Sequence, residues 1–362
     1  MNKQLVFSAL LLSVATHSFA QGAEEAQQPW TFSGYAEAYY LHDFNDPEAG
    51  KLPGFVYSFN KSGEANINLA LVKASYAKGN LRGNLGIADG TYMKANYTAE
   101  PGVLNNIYEA NVGFKLSQRH DLWLDVGVLP SHIGFESTIG KDNWTLTRSL
   151  SADNSPFFET GAKVTYVTPD GKWLVSGLIL NGWQRIQRPD GNSTPAIGHQ
   201  IVYKPNDRVT LNSSSFIGND KSDDQRQMRY FHNFYAQFQL NDQWSLTTGF
   251  DIGAEEKPND ASGYNVWYTP TVIARYAATD KLGFGARVEY YRDKHGVMIG
   301  SDDPDGFKIT GYSLNADYML LPNLVWRGEI KSLNGSDGTF AKDENETAAE
   351  SVMAVTSLAL SF

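Results

Sequence analysis

The chain has 362 residues, 41% hydrophobic and 13% aromatic, with 33 glycines and a mean hydropathy of −0.38. No run of about 20 apolar residues occurs, which excludes a bundle of membrane helices, and 8 Trp, 19 Tyr and 19 Phe are too many for a solvated coil. Forty acidic against 30 basic residues argue against a nucleic-acid partner, and the absence of cysteine excludes a thiolate metal site or a cysteine nucleophile.

Residues 1–20 read as a signal peptide. Lys3 supplies the charge, Leu5 to Ala15 the apolar stretch, and Ser18-Phe19-Ala20 the small-x-small cleavage pattern. Cleavage leaves 29 basic and 40 acidic residues, a net charge of −11. Residues 21–29 then form a short periplasmic segment, and 30–362 the folded domain.

From Trp30 onward the dominant period is two. Trp30, Phe32, Gly34, Ala36, Ala38 and Tyr40 alternate with polar neighbours, and the pattern returns at Tyr108 to Leu116, Trp244 to Ile252 and Leu282 to Tyr290. Successive side chains of a strand point to opposite faces, so each segment is a strand with one apolar and one polar face. Short turns fall at 78–80, 117–120, 169–172, 204–207, 241–243, 278–281 and 320–323. Long polar segments fall at 42–63, 89–105, 130–159, 182–196, 218–228, 254–264, 292–306 and 333–350. Short and long connections alternate throughout, which predicts 16 strands with both chain ends on the short-turn side.

This is the signature of an all-β protein, a transmembrane antiparallel β-barrel with short periplasmic turns and long extracellular loops. In lipid every backbone N–H and C=O must be paired, and a closed sheet achieves this while showing lipid every second side chain. A soluble sandwich or propeller is the alternative, but no 40–50-residue repeat is present. Aromatics gather at segment ends, as interfacial belts require (Trp30, Tyr76, Trp173, Trp244, Tyr268, Tyr276, Tyr290). Three phases conflict. Ile67, Leu69 and Leu71 oppose Val72, Ala74 and Tyr76, which suggests a bulge; Trp173 to Leu180 is apolar on both faces; Ile309 and Tyr312 disagree.

The polar faces carry candidate pore-lining residues: Arg82, Glu109, Lys115, Asp125, Lys163, Arg275, Arg287, Glu289, Arg327, Glu329 and Lys331. Arg229, Glu37, Glu64, Asp251 and Asp317 complete eight cations against eight anions, so the acid excess belongs to the loops. A balanced wall suits a water-filled pore, although cross-strand ion pairs that merely brace the wall give the same pattern. The longest connection, 130–159, is either a constriction loop folded into the lumen or an outer loop capping the mouth. Its candidate residues are His132, Glu136, Lys141, Asp142, Arg148 and Asp153.

Enzyme signatures, metal-ligand spacings and cofactor motifs are missing, so no catalytic residue, metal or cofactor is assigned. The run HIGFESTIGKDNWTLTRSLSADNSPFFETGAKVTY (132–166), followed by LILNGWQ (178–184) and IVYKP (201–205), resembles the OmpL-like β-barrel porin family. The likeness rests on Gly134, Glu136, Asn143-Trp144, Arg148-Ser149, Pro156, Thr160-Gly161, Tyr166 and Asn181-Gly182-Trp183. It implies a channel in the bacterial outer membrane and supplies no active-site residues. The expectation is therefore a porin for passive diffusion of small hydrophilic solutes or ions. Its surroundings are outer-membrane lipid and lipopolysaccharide, its assembly machinery reads the C-terminal Phe362, and its assembly is a candidate homotrimer. A barrel hydrolase using His132 or His232, and a non-conducting surface scaffold, are the alternatives.

Overall fold

The computed structural model describes residues 28–258, 261–343 and 346–362. The signal-peptide reading of residues 1–20 falls outside the described residues. Sixteen strands build the barrel. They are β1 (Trp30–Asp43), β2 (Ala65–Lys78), β3 (Leu81–Asp89), β4 (Ile107–Lys115), β5 (Asp121–Pro130), β6 (Phe158–Val167), β7 (Trp173–Leu180) and β8 (Ala196–Asn206), followed by β9 (Val209–Asn219), β10 (Met228–Gln239), β11 (Trp244–Glu256), β12 (Tyr264–Ala277), β13 (Leu282–Asp293), β14 (Phe307–Leu321), β15 (Leu324–Asn334) and β18 (Glu350–Ser361). The two-residue strands β16 (Phe340–Ala341) and β17 (Thr347–Ala348) form a separate hairpin in the last long connection.

Each barrel strand pairs antiparallel with its neighbours in chain order, and β18 closes on β1 from Tyr35↔Ser361 to Asp43↔Met353. Phe362 continues the closure beyond the last strand: Gly34 N donates to its carbonyl at 2.8 Å and its own N donates to Gly34 O at 3.0 Å. The seven short turns and eight long connections fall where the sequence puts them.

Alternation has its membrane sense. Val72, Val112, Leu314 and Ile330 point outward and are exposed, while their neighbours Leu71, Asn111, Ser313 and Glu329 are buried. Outward aromatic pairs ring both ends: Trp30–Tyr76, Trp173–Tyr203 and Trp244–Tyr276 near the short turns, Tyr230–Tyr264 and Tyr268–Tyr290 near the long loops. Such rings settle where one face is apolar and the other wet.

The three conflicting phases have structural causes. The β1–β2 register slips between Glu37↔Leu69 and Ala38↔Ile67, so Asn68 is an extra residue. The bulge turns Asn68 and Leu69 inward together, which puts Lys73 and Ser75 on the inner face and Val72 and Ala74 on the outer one. Asn68 then ties down the first long connection, accepting from Phe59 N at 3.1 Å and donating to Glu37 at 3.2 Å. On β7, Leu178 and Leu180 are buried inside while Ile179 faces out; on β14, Ile309 is inside and Tyr312 outside.

The inward apolar residues belong to a core in the long-loop half of the lumen. Leu52, Phe55, Val56 and Phe59 from the first long connection meet Ile133, Leu146 and Leu150 from the third, with Trp183, Phe216, Trp267 and Phe307 around them. A second cluster gathers Tyr92 of helix α1 (Thr91–Asn96) and Tyr97 against Phe158 and Leu71.

Leu314, 71% exposed at the middle of β14, tests the outward face. Leu314→Arg is expected to lower stability in lipid vesicles by about 2–4 kcal/mol, read from urea unfolding. A loss well below that range would mean that this position does not meet hydrocarbon.

Candidate functional site

Between β5 and β6 the chain enters the barrel and crosses it. His132 fixes the start. Its Nε2 lies 2.8 Å from Ser215 O on β9, and a carbonyl only accepts, so Nε2 carries a proton. Its Nδ1 lies 2.6 Å from Glu159 on β6. Burial opposes a charged ring, but the Glu159 carboxylate outweighs it and holds the His132 pKa above its ordinary value. The His132 carbonyl accepts from Ser214 Oγ at 2.8 Å and Gln200 Nε2 at 3.1 Å. Gly134 N donates to Asn233 on β10 at 3.3 Å, and the Phe135 ring fills the space that a side chain at Gly249 of β11 would need.

The chain then reaches the opposite wall. Arg327 on β15 donates to Gly140 O at 2.5 Å and Asn143 O at 2.9 Å, while its Nε meets Asp317 at 2.6 Å. Lys141 N donates to Tyr35 Oη at 3.2 Å. Gly140 lies against Glu37 and the Trp144 carbonyl against Gly285, two places where a Cβ has no room. Leu146 N donates to Asn315 at 3.1 Å.

Residues 145–150 meet the densest set of charges. Arg287 on β13 donates to Thr147 O at 2.7 Å and to the Thr145 and Thr147 hydroxyls at 2.8 Å. Glu329 accepts from Thr147 N at 2.8 Å, and Glu289 from Leu150 N at 2.5 Å. Lys331 donates to Arg148 O at 3.1 Å and pairs with Glu289 at 3.3 Å. Arg287 also pairs with Glu289 at 3.2 Å and Glu329 at 3.4 Å. Helix α2 (Leu150–Asp153) follows, its N-terminus capped by Ser149, whose hydroxyl accepts from Ala152 N at 3.2 Å. Removing one partner from such a set strands a buried charge at a cost of about 3–5 kcal/mol.

All eleven wall candidates lie on the inner face, in two environments. Arg287, Glu289, Arg327, Glu329 and Lys331 are sealed beneath residues 140–150 and see peptide groups and threonines in place of an open lumen. Arg82, Lys115, Lys163 and Arg275 keep part of their surface in water near the short turns. Arg82 pairs with Asp125 at 2.5 Å and lies over the Trp123 ring; Lys115 pairs with Asp121 at 3.6 Å. Glu109 pairs with Lys73 at 2.5 Å.

Of the six loop candidates, His132, Arg148 and Asp153 are buried, and Glu136 accepts from Ser149 N at 3.1 Å. Arg148 donates to Leu146 O and Thr138 O at 3.0 Å each. Lys141 and Asp142 pair with each other, partly exposed. Glu64 lies outside β2 and is not a wall residue.

Sequence reasoning passed over Lys73, whose phase the bulge hides, and Thr145, Thr147 and Asn315, whose neutral groups carry no charge signal. The alternation Thr145-Leu146-Thr147-Arg148 was the available clue, as was the apolar run at 52–59. His232, the second hydrolase candidate, lies on the outer wall 2.9 Å from Ser213 Oγ. Among the described residues no carboxylate touches either group, so the arrangement lacks the acid that orients a base.

A closed 16-stranded antiparallel barrel with an apolar exterior and a charged interior defines the class of outer-membrane porin barrels. The chain belongs to the family described as "Putative beta-barrel porin-2, OmpL-like", whose model matches residues 29–362. Among curated proteins no relative matches the sequence. Solved structures share the fold. OmpT of Vibrio cholerae superposes with a TM-score of 0.60 at 10% identity, over 92% of this chain and 97% of that one. An anion-selective porin from Comamonas acidovorans gives 0.59 at 10% identity, over 92% and 99%. The trimer form of in-vitro folded OmpT from Vibrio cholerae gives 0.58 at 11%, over 92% and 99%.

Asp153 makes the packing of the crossing segment pH-dependent. Burial pushes its carboxyl up to about 6 from an ordinary 3.8, against the opposing pull of Lys331, Ser58 and Arg148. The folded chain therefore holds this proton more tightly than the unfolded chain does. Its contribution to stability is full below pH 4 and is lost as pH rises through 6, by at most about 3 kcal/mol. Asp153→Asn should flatten this part of the profile, measured as the difference in urea-unfolding stability between pH 4 and pH 7. An unchanged profile would mean that Asp153 does not titrate in that window.

Proposed function

We propose that this protein is a non-enzymatic outer-membrane channel through which small hydrophilic solutes or ions diffuse passively, with residues 130–159 setting the width of the path. One observation carries the reading: the segment is bound across the lumen to Arg287, Arg327 and Lys331 on the far wall. Inner-face residues near the short turns, on β2 to β6 and on β12, keep part of their surface exposed, so the path runs through that half of the lumen. The ladders Arg287/Glu289 and Arg327/Glu329/Lys331 act as the fastening of the segment, and Arg82, Lys115, Lys163 and Arg275 line the path.

A second reading has its own support. The cluster joining residues 52–59 to residues 133–150 fills the long-loop half of the lumen, as a non-conducting surface scaffold would require. The trimer form of a structural neighbour supports a homotrimer. The position of Phe362, hydrogen-bonded at the closing seam, suits recognition of the C-terminus during assembly.

Planar-bilayer recording separates the two readings. The channel reading expects discrete conductance steps, and Arg327→Gln, which frees Gly140 and Asn143, should enlarge them severalfold. Absence of steps where a control porin conducts would decide for the scaffold.

A further inference from the structure

We propose that the short-turn half of the lumen is a binding site for small anions, and, resting on the channel reading, that anions are the solutes the barrel favours. Every carboxylate on the β2–β6 wall of this vestibule is already engaged. Glu109 is held by Lys73, Asp125 by Arg82 and Glu159 by His132. These three acids are the ones that act on Lys163, which forms no ion pair of its own among the described residues. The far wall repeats the arrangement. Asp317, the acid acting on Arg275, is held by Arg327 at 2.6 Å, and Arg275 is left over. Two surplus cations, Lys163 on β6 and Arg275 on β12, therefore project half-buried from the inner wall of the short-turn half.

Two of the paired cations add to the same sign, because their pairs are unequally exposed, whereas Asp317 and Asp121 are more exposed than their partners Arg327 and Lys115. The Lys73 side chain is 26% exposed and its Glu109 partner 4%; for Arg82 and Asp125 the figures are 36% and 7%. Water meets the ammonium and guanidinium groups while the carboxylates lie behind them. Arg82, whose Nε and Nη2 donate to Asp125, is also held with its guanidinium carbon 4.2 Å from the Trp123 ring centroid, which keeps its remaining Nη1 fixed for an arriving oxyanion or halide. Asp121 and Asp142, the more exposed acids, are each matched by a lysine, Lys115 and Lys141. Glu37 is buried against Gly140 and does not reach the vestibule. Low-dielectric walls concentrate such a field, so the vestibule gathers anions and repels cations.

The full-length barrel in a planar bilayer under a potassium chloride gradient tests the proposal. The reversal potential should have the sign of chloride permeation, and the double variant Lys163→Glu with Arg275→Glu should reverse it. Cation preference in the unmodified protein, or a reversal potential that the double variant leaves in place, overturns the inference. If no current flows, the channel reading fails while the site is still read from Trp123 fluorescence. The emission lost in Trp123→Phe should be quenched more strongly by iodide than by caesium, and Lys163→Gln with Arg275→Gln should narrow the difference. Equal quenching by the two ions overturns the site. The altered gel migration of unheated, folded barrel confirms that each variant folds.

Discussion

A sheet placed in hydrocarbon has to have no edge, and every other feature of this molecule follows from that demand. The pairing of β1 with β18 removes the last unpaired row of backbone groups, and Phe362 extends it by one more residue pair. Closure fixes which face of every strand meets lipid, so the period-two pattern becomes a rule for the whole chain. It also creates an enclosed interior that a soluble sheet of this length would lack. The inward side chains, freed from packing against a second sheet, are polar, and a long connection can be drawn in among them.

The interior then poses an electrostatic problem. Arg287 on β13 and Arg327 and Lys331 on β15, with β14 between, have almost no contact with water. Cations so placed are tolerable only with opposite charges and acceptors around them. Glu289, Glu329 and Asp317 supply the charges; the carbonyls of Gly140, Asn143, Thr147 and Arg148 supply the acceptors. The wall and the crossing segment thus complete each other. Neither set of polar groups is satisfied alone, and this fixes the position of the segment more firmly than apolar contact would.

The fold was legible because alternation and turn rhythm are properties of single segments. All 16 strands, the seven tight turns and the faces of most charged wall residues can be read that way, Glu64 and Lys73 being the exceptions. The interior was less so, because it depends on contacts between residues far apart in the chain. Charge marks Arg287 and Glu329 as inward, yet nothing local says that Thr145 and Thr147 lie between them. Lys73 shows the other limit. Its face depends on one extra residue, Asn68, five positions earlier, and a bulge announces itself in sequence only as a conflict of phase. The apolar run at 52–59, read as part of a polar loop, became half of an interior cluster once closure gave it something to enclose.

The glycines that receive the crossing segment have a consequence for variation of the chain. Gly198, Gly249 and Gly285 sit on three different strands, β8, β11 and β13, and each leaves room for one particular element of the segment: the His132 ring, the Phe135 ring and the Trp144 carbonyl. These sockets are spaced around the circumference at intervals set by the wall, so they act as a ruler for the chain lying across them. An inserted or deleted residue between Phe135 and Trp144 would put every later contact out of step. The length of this connection is therefore fixed by the wall it crosses.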